Sequence, residues 1–549
     1  MSVSFPLLHV HPREDHETRP ALSLFSVVPI ALVGCTAPAS PRADGGTALV
    51  LADGYELGNY NPVAGFGEAG EAKVYDGLVR LSGGRDSGIP ALEPALAAEM
   101  PVPDADAKVW TVRIRDGVRF TDGTTFGPED VVATYRAILD PASASPLATS
   151  YDMLESVQAT GPDTVEFRLA YPYSPWPTKL LLGIAPSEQL TGGLAEQSPL
   201  NSAPVGTGPY ELVSLRADQA VYEANEDYWD GAPQVKRLTV VYVPDDNARA
   251  QRMASGELDG ANLPPLLANT FADRDGYEVV ANTSADWRGV TLPADNPVTA
   301  DPAMRTALNL AVDRGAMVES ILAGHGRAAS TPVPEVYGDA YEPSAVFPFD
   351  RVRAEQILSD AGWVPGPDGV RVRDGARAEF TVMYFPQDTL RRDLSQAFAS
   401  DASKIGVRCE RRGRGPQRLP DQLTAKAGLL GGGDLPYDPD TQLYSTLHSS
   451  YARPGVGSGY DNASNYVNPR IDRALDDARR SVDAAARAVD YRAVQTAYVA
   501  DPGYVMLVFL DHTYVVRDSD WTGRAPILEP HSHGVGWGPW WNLREWTRP

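Results

Sequence analysis

Cysteine is nearly absent: 549 residues carry two, Cys35 and Cys409, so one disulfide is the most the chain could form. Histidine is scarce too, with eight scattered residues. Basic charge is outweighed, 48 Lys and Arg against 72 Asp and Glu, for a formal net charge of −24. Such an excess repels nucleic acid and anionic lipid headgroups, and it keeps a secreted protein soluble. No segment approaches the roughly 18 apolar residues of a spanning helix. The common catalytic signatures are missing as well. There is no Cys-x-x-Cys, no His-Glu-x-x-His, no Gly-Lys-Ser/Thr phosphate loop and no Gly-x-Ser-x-Gly elbow. No enzyme and no cofactor is expected.

What is present begins with size. A single core rarely grows past about 300 residues, so two or more lobes are expected. The composition, 43% hydrophobic and 22% charged, is ordinary for a globular chain. Residues 21–33 form an apolar run interrupted by Pro29, too short to span a bilayer and of the length of a signal-peptide h-region. The stretch before it mixes Glu14, Asp15 and Glu17 with Arg13 and Arg19, so it lacks the clear positive charge of a usual leader. The run ends in Leu32-Val33-Gly34-Cys35, which resembles the bacterial lipobox. That resemblance implies lipidation of Cys35 as the mature N-terminus. Residues 1–34 then read as signal peptide. Residues 35–47, rich in Ala, Pro, Gly and Ser, read as a flexible tether. Cys409 is left unpaired, a structural thiol on a short strand.

Beyond the tether, strand and helix patterns alternate. Residues 48–51 read as a buried strand, and residues 110–115 and 164–169 alternate at period two beside turn residues. Pro128-Glu129-Asp130 opens a helix over residues 131–139. A strand over 238–243, a helix over 247–255 and one long helix over 301–323 follow. Further helices are predicted over 351–361, 391–405 and 471–499, with strands over 379–384 and 504–510. This succession predicts α/β lobes.

Several segments, read in order, resemble the dipeptide, oligopeptide and nickel-binding family of extracellular solute-binding proteins of ABC importers. They include Tyr60-Asn61-Pro62 and Val74-Tyr75-Asp76-Gly77-Leu78-Val79. The most specific is residues 110–123, WTVRIRDGVRFTDG, followed by Glu129-Asp130-Val131-Val132. Then come Pro204-Val205-Gly206-Thr207-Gly208-Pro209-Tyr210, Asn225-Glu226-Asp227-Tyr228-Trp229 and Ser255-Gly256-Glu257-Leu258-Asp259. Residues 305–314, Ala361-Gly362-Trp363 and residues 465–472 complete the series. The resemblance implies a type II periplasmic-binding-protein-like fold, with ligand in a cleft between two lobes. Residues 48–282 and 512–549 would form lobe I, with a subdomain inserted at about 81–200. Residues 283–511 would form lobe II, with hinges near 277–284 and 509–516. It implies a monomer that hands a short peptide to a permease driven by ATPase subunits and meets the membrane only through its lipid.

A peptide is a zwitterion, and burying it demands an anion for its ammonium and a donor for its carboxylate. In peptide-binding members of the family an aspartate after a lobe II strand holds the ammonium. The matching stretch, residues 432–440, offers Asp434 if one residue is inserted, with Asp438 as the alternative. The carboxylate partner is not fixed, and Arg391 and Arg392 read as solvated helix-surface residues. Tyr437, Trp287, Tyr460 and Trp537 are candidate aromatic walls. Pro436-Tyr437-Asp438-Pro439 also resembles the nickel-chelate branch, so a metal chelate is the alternative ligand. His448 would then be a chelate contact. His531 and His533 would point the same way on a strand, but no third ligand is visible and no metal site is assigned.

Overall fold

A computed structural model describes residues 46–549 except 84–87, 416–418, 453–458 and 533. The leader, the lipobox with Cys35, most of the tether and His533 therefore lie outside the described residues. Among the described residues no helix is long and apolar enough to cross a membrane.

The predicted alternation is present, and local chemistry explains its boundaries. The helix Pro128–Leu139 starts with proline in its first turn, and the Asp130 carboxylate accepts from Gly127 N–H at 2.8 Å. Its Val131, Val132, Tyr135 and Ile138 are buried against a four-stranded sheet containing Val109–Arg113 and Thr164–Leu169. Residues 471–499 resolve into two helices, Pro469–Arg480 and Ala484–Ala500. The single long helix predicted over 301–323 is instead two, Pro302–Ala311 and Arg314–Ser320. Val312 is extended, and the Asp313 carboxylate restarts the helix by accepting from Ala316 N–H at 3.0 Å. The periodicity continues across the break, so hydrophobic spacing alone does not reveal it.

An eleven-stranded mixed sheet runs through the molecule. Its two longest strands, Tyr277–Thr291 and Tyr504–Arg517, pair antiparallel along their length. Their first register runs from Tyr277↔Arg517 to Thr283↔Asp511, and pairing resumes at Trp287↔Phe509. At this irregularity the strands change neighbours. On one side Gly260–Asn262 pairs with Val516 to Tyr514, and Ala48–Asp53, Arg237–Tyr242, Gln219–Ala224 and Tyr210–Arg216 follow outward. On the other side Ala427–Gly432 pairs with Trp287 to Val290, with Glu379–Tyr384 and Arg408–Gly413 beyond it. A bulge of this kind bends a strand and lets one pair of strands serve two half-sheets.

Each half has its own apolar interior. One cluster draws all its buried members from residues 287–510. Others draw on residues 49–271 together with 514–546. A further cluster draws on residues 63–195 and takes in Leu435, Tyr437, Ile527 and Trp537. The resulting α/β architecture has two lobes joined through the paired long strands.

Candidate ligand cleft

Two chambers of about 510 and 530 Å³ open between the halves and share Phe385, Arg391 and His531. The first is walled by Glu68, Tyr173 and Lys179 from the N-terminal half and by Asp434, Tyr444 and Tyr460 from the other. The second is walled by Tyr55, Asp246 and Arg249 on one side and Asp388 and Leu390 on the other.

Asp434 follows the strand Ala427–Gly432 and the positive-φ Gly433, whose Cβ position lies 2.6 Å from Ala285 O. Only glycine fits there, and it aims the next residue into the first chamber. Asp434 is open to chamber solvent yet surrounded by protein, and it has no hydrogen-bond or ion-pair partner among the described residues. Enclosure raises its pKa, as do the nearby carboxylates of Asp461, Asp286 and Glu68, while His531 pulls it down. Most other charges around this chamber are matched. Lys179 lies 3.3 Å from Glu68. Arg479 forks onto Asp440 at 2.9 and 3.0 Å, stacks 3.2 Å above the Tyr444 ring, and shares Asp440 with the Tyr173 hydroxyl.

Arg391 corrects the sequence reading. It is buried, not solvated, because the first turn of Thr389–Lys404 faces the cleft. Its guanidinium sits 4.9 Å over Phe385 and bonds Asp388 at 2.7 Å, leaving Nε without an acceptor. Arg392 is exposed and pairs with Asp393, as a surface residue should.

The remaining expected residues divide. Tyr460 lines the first chamber, its ring 6.5 Å from Phe385. Asp438 is not available to a ligand: it caps the helix Pro439–Leu447 and receives both arms of Arg487 at 2.5 and 3.0 Å. Tyr437 is buried with its hydroxyl donating to Ala69 O, and Trp537 packs in the same cluster, so neither forms a chamber wall. Trp287 is also off the wall. Neighbouring strand residues point to opposite faces, so Arg288 reaches the second chamber while Trp287 packs on Tyr504 at 5.8 Å. His448 stacks on Tyr444 at 4.2 Å, with Nδ1 2.8 Å from Ser450 Oγ, one layer behind the chamber.

The cleft floor holds an ionic network that the sequence reading missed. Asp286 pairs with Arg288 and lies 2.7 Å from His531 Nδ1 and 3.0 Å from His512 Nε2. His512 Nδ1 is 2.8 Å from Glu529, which also accepts from Tyr514 and Asn282. Burial disfavours charge on both groups. Against it, Arg288 and His531 hold Asp286 well below the usual carboxylate range, and the two carboxylates raise His512 to about 9. His512 is thus an imidazolium donating from both nitrogens. The available signal was charge inside strand sequence, Asp286 and Arg288 around a tryptophan and His512 within an otherwise apolar run.

Among the described residues no group of three or more His, Cys, Asp or Glu is placed to hold a metal ion. The cleft offers instead a carboxylate, Asp434, without a hydrogen-bond or ion-pair partner among the described residues, a guanidinium with spare donors and aromatic walls.

Comparison with known proteins accords with this geometry. Residues 91–453 match the family model described as bacterial extracellular solute-binding proteins, family 5 Middle. Protein XP55 of Streptomyces lividans is 41% identical over 509 residues, covering 90% of each chain. The oligopeptide-binding protein AppA of Bacillus subtilis is 26% identical, covering 73% of this chain and 75% of the relative. The crystal structure of NikZ from Campylobacter jejuni in complex with Ni(L-His) superposes with a TM-score of 0.83 at 26% identity, over 91% of this chain and 99% of that one.

Proposed function

The chain belongs to the bacterial extracellular solute-binding proteins of family 5, transport proteins and not enzymes, and on that premise we propose that it captures short peptides for an ABC importer. The observation that carries the peptide reading is Asp434, a carboxylate without a hydrogen-bond or ion-pair partner among the described residues, facing the chamber between the lobes. A peptide ammonium supplies the charge that carboxylate lacks, through the strong, charge-assisted kind of hydrogen bond. Arg391, at the junction of the two chambers and with Nε unfilled, is suited to the ligand's carboxylate. Tyr444 and Tyr460 give apolar wall area to side chains. The likeness to a relative named as oligopeptide-binding points the same way.

We assign residues 48–282 and 512–549 to lobe I, with the insertion at about 81–200, and residues 283–511 to lobe II. The separate cores and the bulge between Thr283 and Trp287 support that division. The lobes close on ligand and present it to the permease and its ATPase subunits.

Thermal shift against di- to octapeptides tests the ligand class. Closure on a ligand at one hundred times its dissociation constant adds about 2.7 kcal/mol. Stabilisation by peptides is expected. Stabilisation by nickel–histidine complexes and by no peptide would replace this reading with the metal-chelate one, toward which the likeness to NikZ points.

The anchor is part of the same reading. Cys35 after Leu32-Val33-Gly34 supports lipidation and an outer-face location. Replacing Cys35 by Ser should release the protein from the membrane fraction. A mutant as membrane-bound as the wild type would refute the anchor.

A further inference from the structure

Away from the interlobe cleft, lobe II contains a cavity of about 280 Å³ built around the helix break at Val312 and Asp313. Its walls include Arg314, Gly315, Arg327, Phe347, Phe349 and Phe509. Arg314 is 5% exposed and is held by neutral acceptors alone. Its Nε donates to Ala329 O and Met506 O, both at 2.8 Å, Nη1 to Asn309 O at 2.8 Å, and Nη2 to Asn309 Oδ1 at 2.9 Å. A guanidinium has five N–H donors, and these bonds use one on each nitrogen. No carboxylate among the described residues lies within 4.0 Å of it, although Glu335 stands exposed at the cavity. Arg327, by contrast, is matched by Asp511 at 2.7 Å.

A buried cation without a counter-charge is costly, and burial accordingly lowers the Arg314 pKa to about 10. Carbonyl dipoles meet part of that cost and fix the group rigidly. Phe347 lies beside it in cation–π range, 5.8 Å from the guanidinium, and Phe349 is 43% exposed. They form an apolar lining open at one side. This combination, a preorganised cation in the wall of an aromatic-lined cavity, is complementary to an anion with an apolar body.

We propose that this cavity is a second ligand site, independent of the interlobe cleft, that takes a small carboxylate with an aromatic or branched aliphatic body. The carboxylate meets the free N–H groups of Arg314, and the body lies among Phe347, Phe349 and Phe509. The inference stands whether or not the cleft binds peptides.

The probes are phenylacetate and 4-methylpentanoate, with phenylacetamide as the neutral isostere, titrated into the full chain by calorimetry and by saturation-transfer NMR. Saturable binding of at least one carboxylate is expected, with the amide roughly tenfold or more weaker because the charge-assisted bond is lost. Arg314→Met risks the fold, since Arg314 ties together the carbonyls of residues 309, 329 and 506. Gly315→Trp avoids that. An added Cβ there meets only Asp313 Oδ1 at 3.6 Å, so a side chain is accommodated without strain at the cavity wall, where an indole ring is designed to fill the space. The variant should retain its melting temperature within a few degrees and lose carboxylate binding, while Asp434→Asn retains it. No saturable binding of either carboxylate, equal affinity for the amide, or undiminished binding in a folded Gly315→Trp would overturn the proposal.

Discussion

Asp434 and Asp438 lie four residues apart in one loop, in opposite surroundings. Asp438 is consumed by the protein: it caps a helix and accepts a forked pair of bonds from Arg487, 49 residues later. Asp434 has no such partner among the described residues and faces the chamber. Asp438→Asn should therefore lower stability by about 3 kcal/mol, the typical cost of stranding one member of a largely buried ion pair, while peptide affinity changes little. Chemical denaturation and calorimetry on the same variant check both halves. An affinity loss without a stability loss would return the ligand role to Asp438. The loop itself was found through its resemblance to the family's stretch after a lobe II strand, at residues 432–440. The division of labour inside it was not legible, because the partner that settles it is remote. Arg391 was misread for a related reason. A helix that packs with its first turn over a cleft buries a residue that looks like surface on periodicity alone.

At the scale of elements, the paired long strands Tyr277–Thr291 and Tyr504–Arg517 carry the connection between lobes, and the ionic network sits where they change neighbours. His512 belongs to one strand, Asp286 and Arg288 to the other, and Glu529 and His531 to the C-terminal segment. The folded His512 pKa, about 9, is raised above its unfolded value near 6.5. Its contribution to stability is thus fully present below about pH 6.5, declines as the unfolded state gives up its proton, and is lost as pH rises through about 9. Melting temperature should fall between about pH 7 and 9 with a component that His512→Gln removes. An unchanged slope in that variant would show that another group governs alkaline stability. The strands were readable from their apolar runs, whereas their length was not. The pattern over 504–510 continues to Arg517 through His512 and Thr513, polar residues that the interior accepts because Asp286, Glu529 and Leu263 O satisfy them. The helix break at Val312 is the opposite case, an interruption the hydrophobic spacing gives no sign of.

At the scale of the whole molecule, the ordered series of motifs over residues 48–549 made the two-lobed class readable, because those motifs build turns and packing anchors. Asp76, for example, accepts from Thr207, Tyr228 and Trp229, tying three of the matched segments together. The cleft was less readable, since its walls come from side chains hundreds of positions apart: Tyr173 meets Asp440, and Asp246 accepts from Thr389 Oγ1 at 2.6 Å across it. The proposed function rests on Asp434, which has no hydrogen-bond or ion-pair partner among the described residues and faces that space. Calorimetric titration of wild type and Asp434→Asn, each with one stabilising peptide and its N-acetylated form, tests this most directly. Wild type should bind the free peptide and discriminate against the acetylated one. The variant should lose roughly two to three orders of magnitude for the free peptide and discriminate far less, as expected when one partner of a buried charge pair is removed. An Asp434→Asn protein that binds the free peptide as tightly as wild type would contradict the account.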